Sequence, residues 1–211
     1  MEKKANYLST FGRRDFLKTG LAVGVAASIP LDLIPKIGTR RAYAAVLEGL
    51  EEITPETRWI IASQALTGMT IGTQKALLDA VGQEKYKQII EQLLTQGGAA
   101  SKQIADDLGL TAVDAESTAQ AVLMVATVSM GPELKFESVK LTPEETIIRG
   151  TGCPFWNRVK ESGITDDLLS VGSEAWTSSL TKSLNPKVTL TVTGAMCRGD
   201  DHCEWIYKLQ A

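Results

Sequence analysis

The chain has 211 residues, 44% hydrophobic and 22% charged, with a formal net charge of −3, which is enough for one domain with a real core. Residues 1–44 hold eight Lys or Arg against three Asp or Glu, a net of +5, so the remainder carries −8. An acidic domain with no basic stripe excludes nucleic acid and an anionic membrane surface as partners.

The first residues read as an address. Gly12-Arg13-Arg14-Asp15-Phe16-Leu17-Lys18 has the twin-arginine pattern, and a Gly- and Ala-rich apolar run from Leu21 to Ile29 follows it. Ala42-Tyr43-Ala44 then supplies a small-x-small cleavage site. Pro30, Asp32, Pro35 and Lys36 interrupt the run well short of the roughly 18 to 20 apolar residues a span requires, so no stable membrane insertion is expected after cleavage. The expectation is a signal peptide over 1–44, the twin-arginine export machinery as a partner, a periplasmic destination, and a single domain over 45–211.

A helical half follows. Thr54-Pro55-Glu56 reads as an N-cap, a proline at the first helical position and an acid in the first turn. The helix it opens would bury Trp59, Ile60, Ala62, Leu66 and Met69, weakened by Gly68 and Gly72. A clearer helix spans Glu84 to Thr95, with Tyr86, Ile89, Ile90, Leu93 and Leu94 on one face and Gly97-Gly98 as its stop. Ser101 to Leu108 and Val113 to Val128 are two further helical segments.

From Pro132 the period changes to that of a strand. Leu134 to Val139 and Glu145 to Arg149 pair as a hairpin across Thr142-Pro143-Glu144. Cys153 then precedes Pro154 at the start of a short helix ending by Gly163. Amides and the dipole there would favour a thiolate, making Cys153 the best candidate nucleophile; a small buried hydrophobe beside Phe155 and Trp156 is the plainer reading. Another helix, Ser173 to Ser183, turns Trp176 and Leu180 inward and carries Glu174, a site carboxylate or an ordinary surface acid.

The last hairpin pairs Val188 to Thr193 with Glu204 to Leu209, across a loop that gathers Cys197, Cys203 and the single histidine, His202. Three chemistries fit there. The two cysteines at the loop stems form a cross-strand disulfide or simply pack. Alternatively Cys153, Cys197, Cys203 and His202 hold zinc or another divalent metal, although five residues between the loop cysteines exceed the compact zinc spacing. Or the loop is catalytic, with a thiolate as nucleophile and His202 and Asp200 doing acid-base work. An odd number of cysteines leaves one thiol unpaired within the chain unless a metal takes it. Export of a folded chain from a reducing cytosol would delay any disulfide.

The ending Gly199-Asp200-Asp201-His202-Cys203-Glu204-Trp205, with Leu184-Asn185-Pro186-Lys187 before its strand and Gly152-Cys153-Pro154-Phe155-Trp156 further back, resembles the L-2-amino-thiazoline-4-carboxylic acid hydrolases over the last third of the chain. It is also similar to the 4-vinyl reductase small-molecule-binding domain and to TRAPP transport subunits. Where such hydrolases often carry a further cysteine and an acid, this chain has Ser170-Val171-Gly172-Ser173-Glu174.

The fold expected is α+β: helices first, then two hairpins joined by helices, making an antiparallel sheet of about four strands. What the resemblance implies is hydrolysis of a cyclic C–N bond in a small sulfur heterocycle. Arg149 or Arg198 would bind its carboxylate, with Trp156 and Glu174 as further contacts, and Cys153 or a metal-bound water would attack. The other reading keeps the pocket and asks it only to hold a small molecule or metal, as a sensor or carrier.

Overall fold

The computed structural model describes residues 53–162, 164 and 166–210. The leader, its twin-arginine motif, the Ala42-Tyr43-Ala44 site and Gly163 lie outside them. Residues 55–211 form one compact unit. Its elements are α1 (Pro55–Val81), α2 (Gln83–Ala100), α3 (Lys102–Asp107), α4 (Ala115–Met130), β1 (Lys135–Leu141), β2 (Glu145–Gly152), α5 (Pro154–Ser162), α6 (Asp166–Leu184), β3 (Val188–Gly194), a 3-10 turn (Met196–Arg198) and β4 (Cys203–Leu209). This is the α+β plan read from the sequence, and its two hairpins join into one antiparallel sheet of order β1-β2-β4-β3.

Pro55 and Glu56 open α1 as the capping pattern requires. The inward face of that helix differs from the expected one. Ser63, Thr67, Ile71 and Gln74 are buried at successive turns, whereas Leu66 and Met69 stand 56% and 53% exposed. The reason is close approach: a Cβ at Gly131, just beyond α4, would lie 2.1 Å from Ser63 Oγ, and no bulkier side chain fits between. The Ser63 and Thr67 hydroxyls donate to the carbonyls of Ile60 and Ser63, each at 2.9 Å, so their burial strands no donor.

Gly97-Gly98 does not stop the second helix, which runs on to Ala100. Gly98 instead lets α2 touch α6, since a Cβ there would stand 2.3 Å from the Trp176 carbonyl oxygen. Trp176 and Leu180 do turn inward.

Two apolar clusters form the core. One joins α4 and α6 to the sheet through Val122, Val125, Ile148, Leu180 and Tyr207. The other joins α1, α2, α5 and α6 through Ile71, Tyr86, Ile90, Val159 and Leu168. Each fully buried large aliphatic side chain contributes about 1.5–3 kcal/mol.

Alternation along the sheet decides which side chains meet the helices. Thr146, Ile148 and Gly150 are the buried positions of β2. They stand opposite Tyr207, Trp205 and Cys203 of β4, which therefore share their face. Arg149 and Glu204, the next pair in register, point to the other side.

Candidate functional site

β2 ends, β4 begins and β3 ends at the same rim of the sheet, because β4 lies antiparallel between the other two. Cys153 follows β2, Cys203 starts β4 and Cys197 sits in the turn after β3. The juxtaposition expected of these strand ends is thus present: all three cysteines line one cavity of about 320 Å³. All three are free thiols. Cys203 stands opposite Gly150, and Gly194 opposite Glu204, so Cys197 and Cys203 are not the cross-strand pair that a hairpin disulfide needs.

Cys153 is half-buried just before α5, and its Sγ accepts the Trp156 N–H at 3.4 Å. Burial nevertheless pushes its thiol pKa up, outweighing that amide, so the lowered value expected at a helix start is reversed. Cys203 Sγ accepts the Met196 N–H at 3.3 Å, and burial raises it too. Cys197, more deeply buried, is pushed up to about 11, by burial first and by the neighbouring Cys203 next. These sulfurs are protonated, weakly polar wall atoms at neutral pH.

The charged candidates stand elsewhere. Arg149 Nε donates to Glu204 Oε2 at 2.8 Å on the outer sheet face, where Thr193 Oγ1 donates to Glu204 Oε1 at 2.8 Å. His202 Nε2 is 3.8 Å from the same Glu204 carboxylate. Asp200 Oδ2 accepts the Ala195 N–H at 2.7 Å and so closes the hairpin loop. Arg198 Nη1 donates to Glu174 Oε1 at 2.6 Å, tying the 3-10 turn to α6. Of the expected site residues only Trp156 and the three cysteines line the cavity. Among the described residues no three His, Cys, Asp or Glu side chains gather closely enough to hold a metal ion, and His202 is not among the described residues lining the cavity with the three cysteines.

The sequence reading missed the walls. The cavity lies between the two apolar clusters, with Ile90 and Leu168 on one side and Val122, Ala126 and Tyr207 on the other. Trp156, Trp176 and Trp205, three of the four tryptophans, line it. None of its described lining residues is Asp, Glu, Lys, Arg or His. The hydroxyls of Thr67, Thr70 and Thr177 turn back to the carbonyls of Ser63, Leu66 and Ser173 on their own helices.

A salt bridge holds the cysteine segment in place. Arg158 Nη2 and Nη1 donate to Glu133 Oε1 and Oε2 at 2.8 and 3.0 Å, and Gln64 Nε2 adds a third bond at 3.1 Å. These donors hold the Glu133 carboxyl at about 2. Arg158 also donates to the Pro154 carbonyl at 2.7 Å, so the start of α5, with Cys153 before it, is tied to α1 and to the α4–β1 junction.

Residues 60–207 match the sequence model of a family described as L-2-amino-thiazoline-4-carboxylic acid hydrolase. The chain belongs to that hydrolase family. The match extends well beyond the C-terminal third, across most of the helical half. No curated protein matches this hydrolase-family chain in sequence. Its structure is similar to the phenol-responsive sensory domain of the transcription activator PoxR with phenol, at TM-score 0.50 and 11% identity, covering 68% of this chain and 74% of that one. It is also similar to trafficking protein particle complex subunit 3 from Naegleria fowleri covalently bound to palmitic acid, at TM-score 0.51 and 16% identity, covering 72% and 96%. At these identities the likeness is one of fold.

Proposed function

We propose that this member of the hydrolase family uses its cavity to hold a small, uncharged, largely apolar molecule. The observation that carries this reading is the absence of any charged side chain among the described residues of the lining. An anion moved into such walls would give up its hydration without a cation to compensate. The volume of about 320 Å³ suits a molecule of one or two rings, given that a dry apolar cavity of about 150 Å³ takes up benzene. The small ligands named for the two similar structures, phenol and palmitic acid, support a pocket of this kind without identifying its occupant.

Hydrolysis of an aminothiazoline carboxylate is the second reading, favoured by the family and by Cys153 in the cavity wall. Against it stand the raised Cys153 pKa, the lack of a base among the described lining residues to take its proton, and the placement of Arg149 and Arg198 outside the cavity. One titration separates the two readings, followed by the emission of the lining tryptophans. Phenol should perturb that emission saturably, and 2-aminothiazoline-4-carboxylate should neither perturb it nor be opened. Ring opening that disappears in Cys153→Ser would establish the second reading instead.

The Arg13-Arg14 pair and the Ala42-Tyr43-Ala44 site support export by the twin-arginine route to the periplasm. Arg13→Lys with Arg14→Lys should retain full-length protein in the cytoplasm, and undiminished periplasmic mature protein would contradict that route.

A further inference from the structure

Gln74 lies on the inward face of α1, 8% exposed, and lines the cavity. The Tyr86 hydroxyl, on a side chain wholly buried in α2, donates to Gln74 Oε1 at 3.3 Å. In this arrangement the hydroxyl engages Oε1 and leaves Nε2 for another partner. Among the described residues nothing accepts from Gln74 Nε2. No fully enclosed side-chain nitrogen or oxygen of the described residues lacks a partner, so this amide nitrogen borders open space, and the space beside it is the cavity.

Gln74 brings the one side-chain amide found among the described residues of the lining. The threonine hydroxyls beside it are turned back into their helices, where they recognise nothing. An amide donor left without a protein partner at a cavity wall is satisfied by whatever atom occupies the space beside it, a ligand's or a water's. A carboxylate is a poor match, because no cation is found among the described residues of the lining to stabilise it. A carbonyl oxygen accepts and needs no acceptor in return, which suits an amide N–H better than a hydroxyl does.

We infer that Gln74, oriented by Tyr86, is the specificity-determining hydrogen-bond donor of this cavity, and that its ligand is a small apolar molecule bearing an uncharged carbonyl oxygen. The inference rests on the cavity being a ligand site, as proposed above. The cavity then presents an amide donor from α1 as well as the thiols at the rim of the sheet. A carbonyl compound would enter with its oxygen toward Gln74 and its apolar body among the tryptophans.

The test is calorimetric titration with two probes of one shape, acetophenone and α-methylstyrene, in which C=CH2 replaces C=O. The quantity read is the ratio of their affinities, which cancels differences in general hydrophobicity. Gln74→Leu should lower that ratio, in the ketone's disfavour, by roughly tenfold. Gln74→Leu strands the Tyr86 hydroxyl, so Gln74→Leu/Tyr86→Phe is measured as well and should lose the same discrimination. If both probes bind the wild type and neither variant changes the ratio, the role of Gln74 is overturned while the cavity reading stands. If neither probe binds the wild type, both fall together.

Discussion

The indole of Trp205 lies over Gly150: a Cβ at Gly150 would stand 2.7 Å from both Cζ3 and Cη2 of the ring. Phe136 braces the same indole edge-on, with ring centroids 6.0 Å apart at 66°. Phe136, Gly150 and Cys203 occupy neighbouring register positions on β1, β2 and β4, so the sheet leaves a gap at Gly150 and Trp205 fills it.

Gly150→Ala should therefore drive Trp205 from its resting place, at a cost of about 1–3 kcal/mol, the range for overpacking a well-filled site. The displaced ring has the cavity to move into, so phenol binding should weaken together with stability. Urea denaturation followed by tryptophan emission reads the first effect and titration reads the second. Wild-type stability with wild-type binding would show that Trp205 is not seated on the backbone as described.

The Glu133–Arg158 pair predicts a pH dependence with a definite sign. In the folded protein the carboxyl sits at about 2, below its ordinary 4.5, with the Arg158 hydrogen bonds as the largest cause. A depressed folded value means that the stabilisation is present above 4.5 and is lost as pH falls toward about 2. Wild type should exceed Arg158→Leu by about 2 kcal/mol near neutral pH, with a gap that narrows as the solution is acidified. Urea midpoints at several pH values measure this, and a gap that stays constant would mean that the pair is not the source.

At the alkaline end the sign reverses. Burial raises the Cys197 thiol from 9.0 to about 11, so between those values the unfolded chain releases a proton that the folded chain keeps. Stability should decline with rising pH across that window, and Cys197→Ala should flatten the decline. Slow modification by a neutral disulfide reagent at neutral pH, slowed further by phenol, is the matching expectation for thiols in an occupied cavity.

Much of this arrangement was legible, and the limits have physical causes. Pro55 and the change of period at Pro132 fixed the helical half and the sheet, and counting strand ends was enough to bring Cys153, Cys197 and Cys203 to one rim. The charged residues are harder to place from their spacing in the sequence. Arg149 adjoins Gly150 and Glu204 adjoins Cys203, yet in a strand adjacent side chains face opposite ways, and that parity was available to read. Gln74 and the inward Ser63 and Thr67 were out of reach. An apolar stripe is the usual sign of a buried face, and α1 buries a mixed polar stripe whose hydroxyls are satisfied within the helix. The cavity itself arises where two clusters fail to merge, a relation among helices far apart in the chain.

The central claim is that the cavity accepts neutral molecules and rejects anions, and benzamide and benzoate test it most directly, being alike in shape and different in charge. Calorimetric titration near neutral pH should find saturable binding of benzamide and binding of benzoate weaker by about a hundredfold or more, the penalty of placing an unpaired charge in apolar walls. Equal or tighter binding of benzoate, competing with phenol for the same site, would contradict the account and return the carboxylate-binding hydrolase reading to first place.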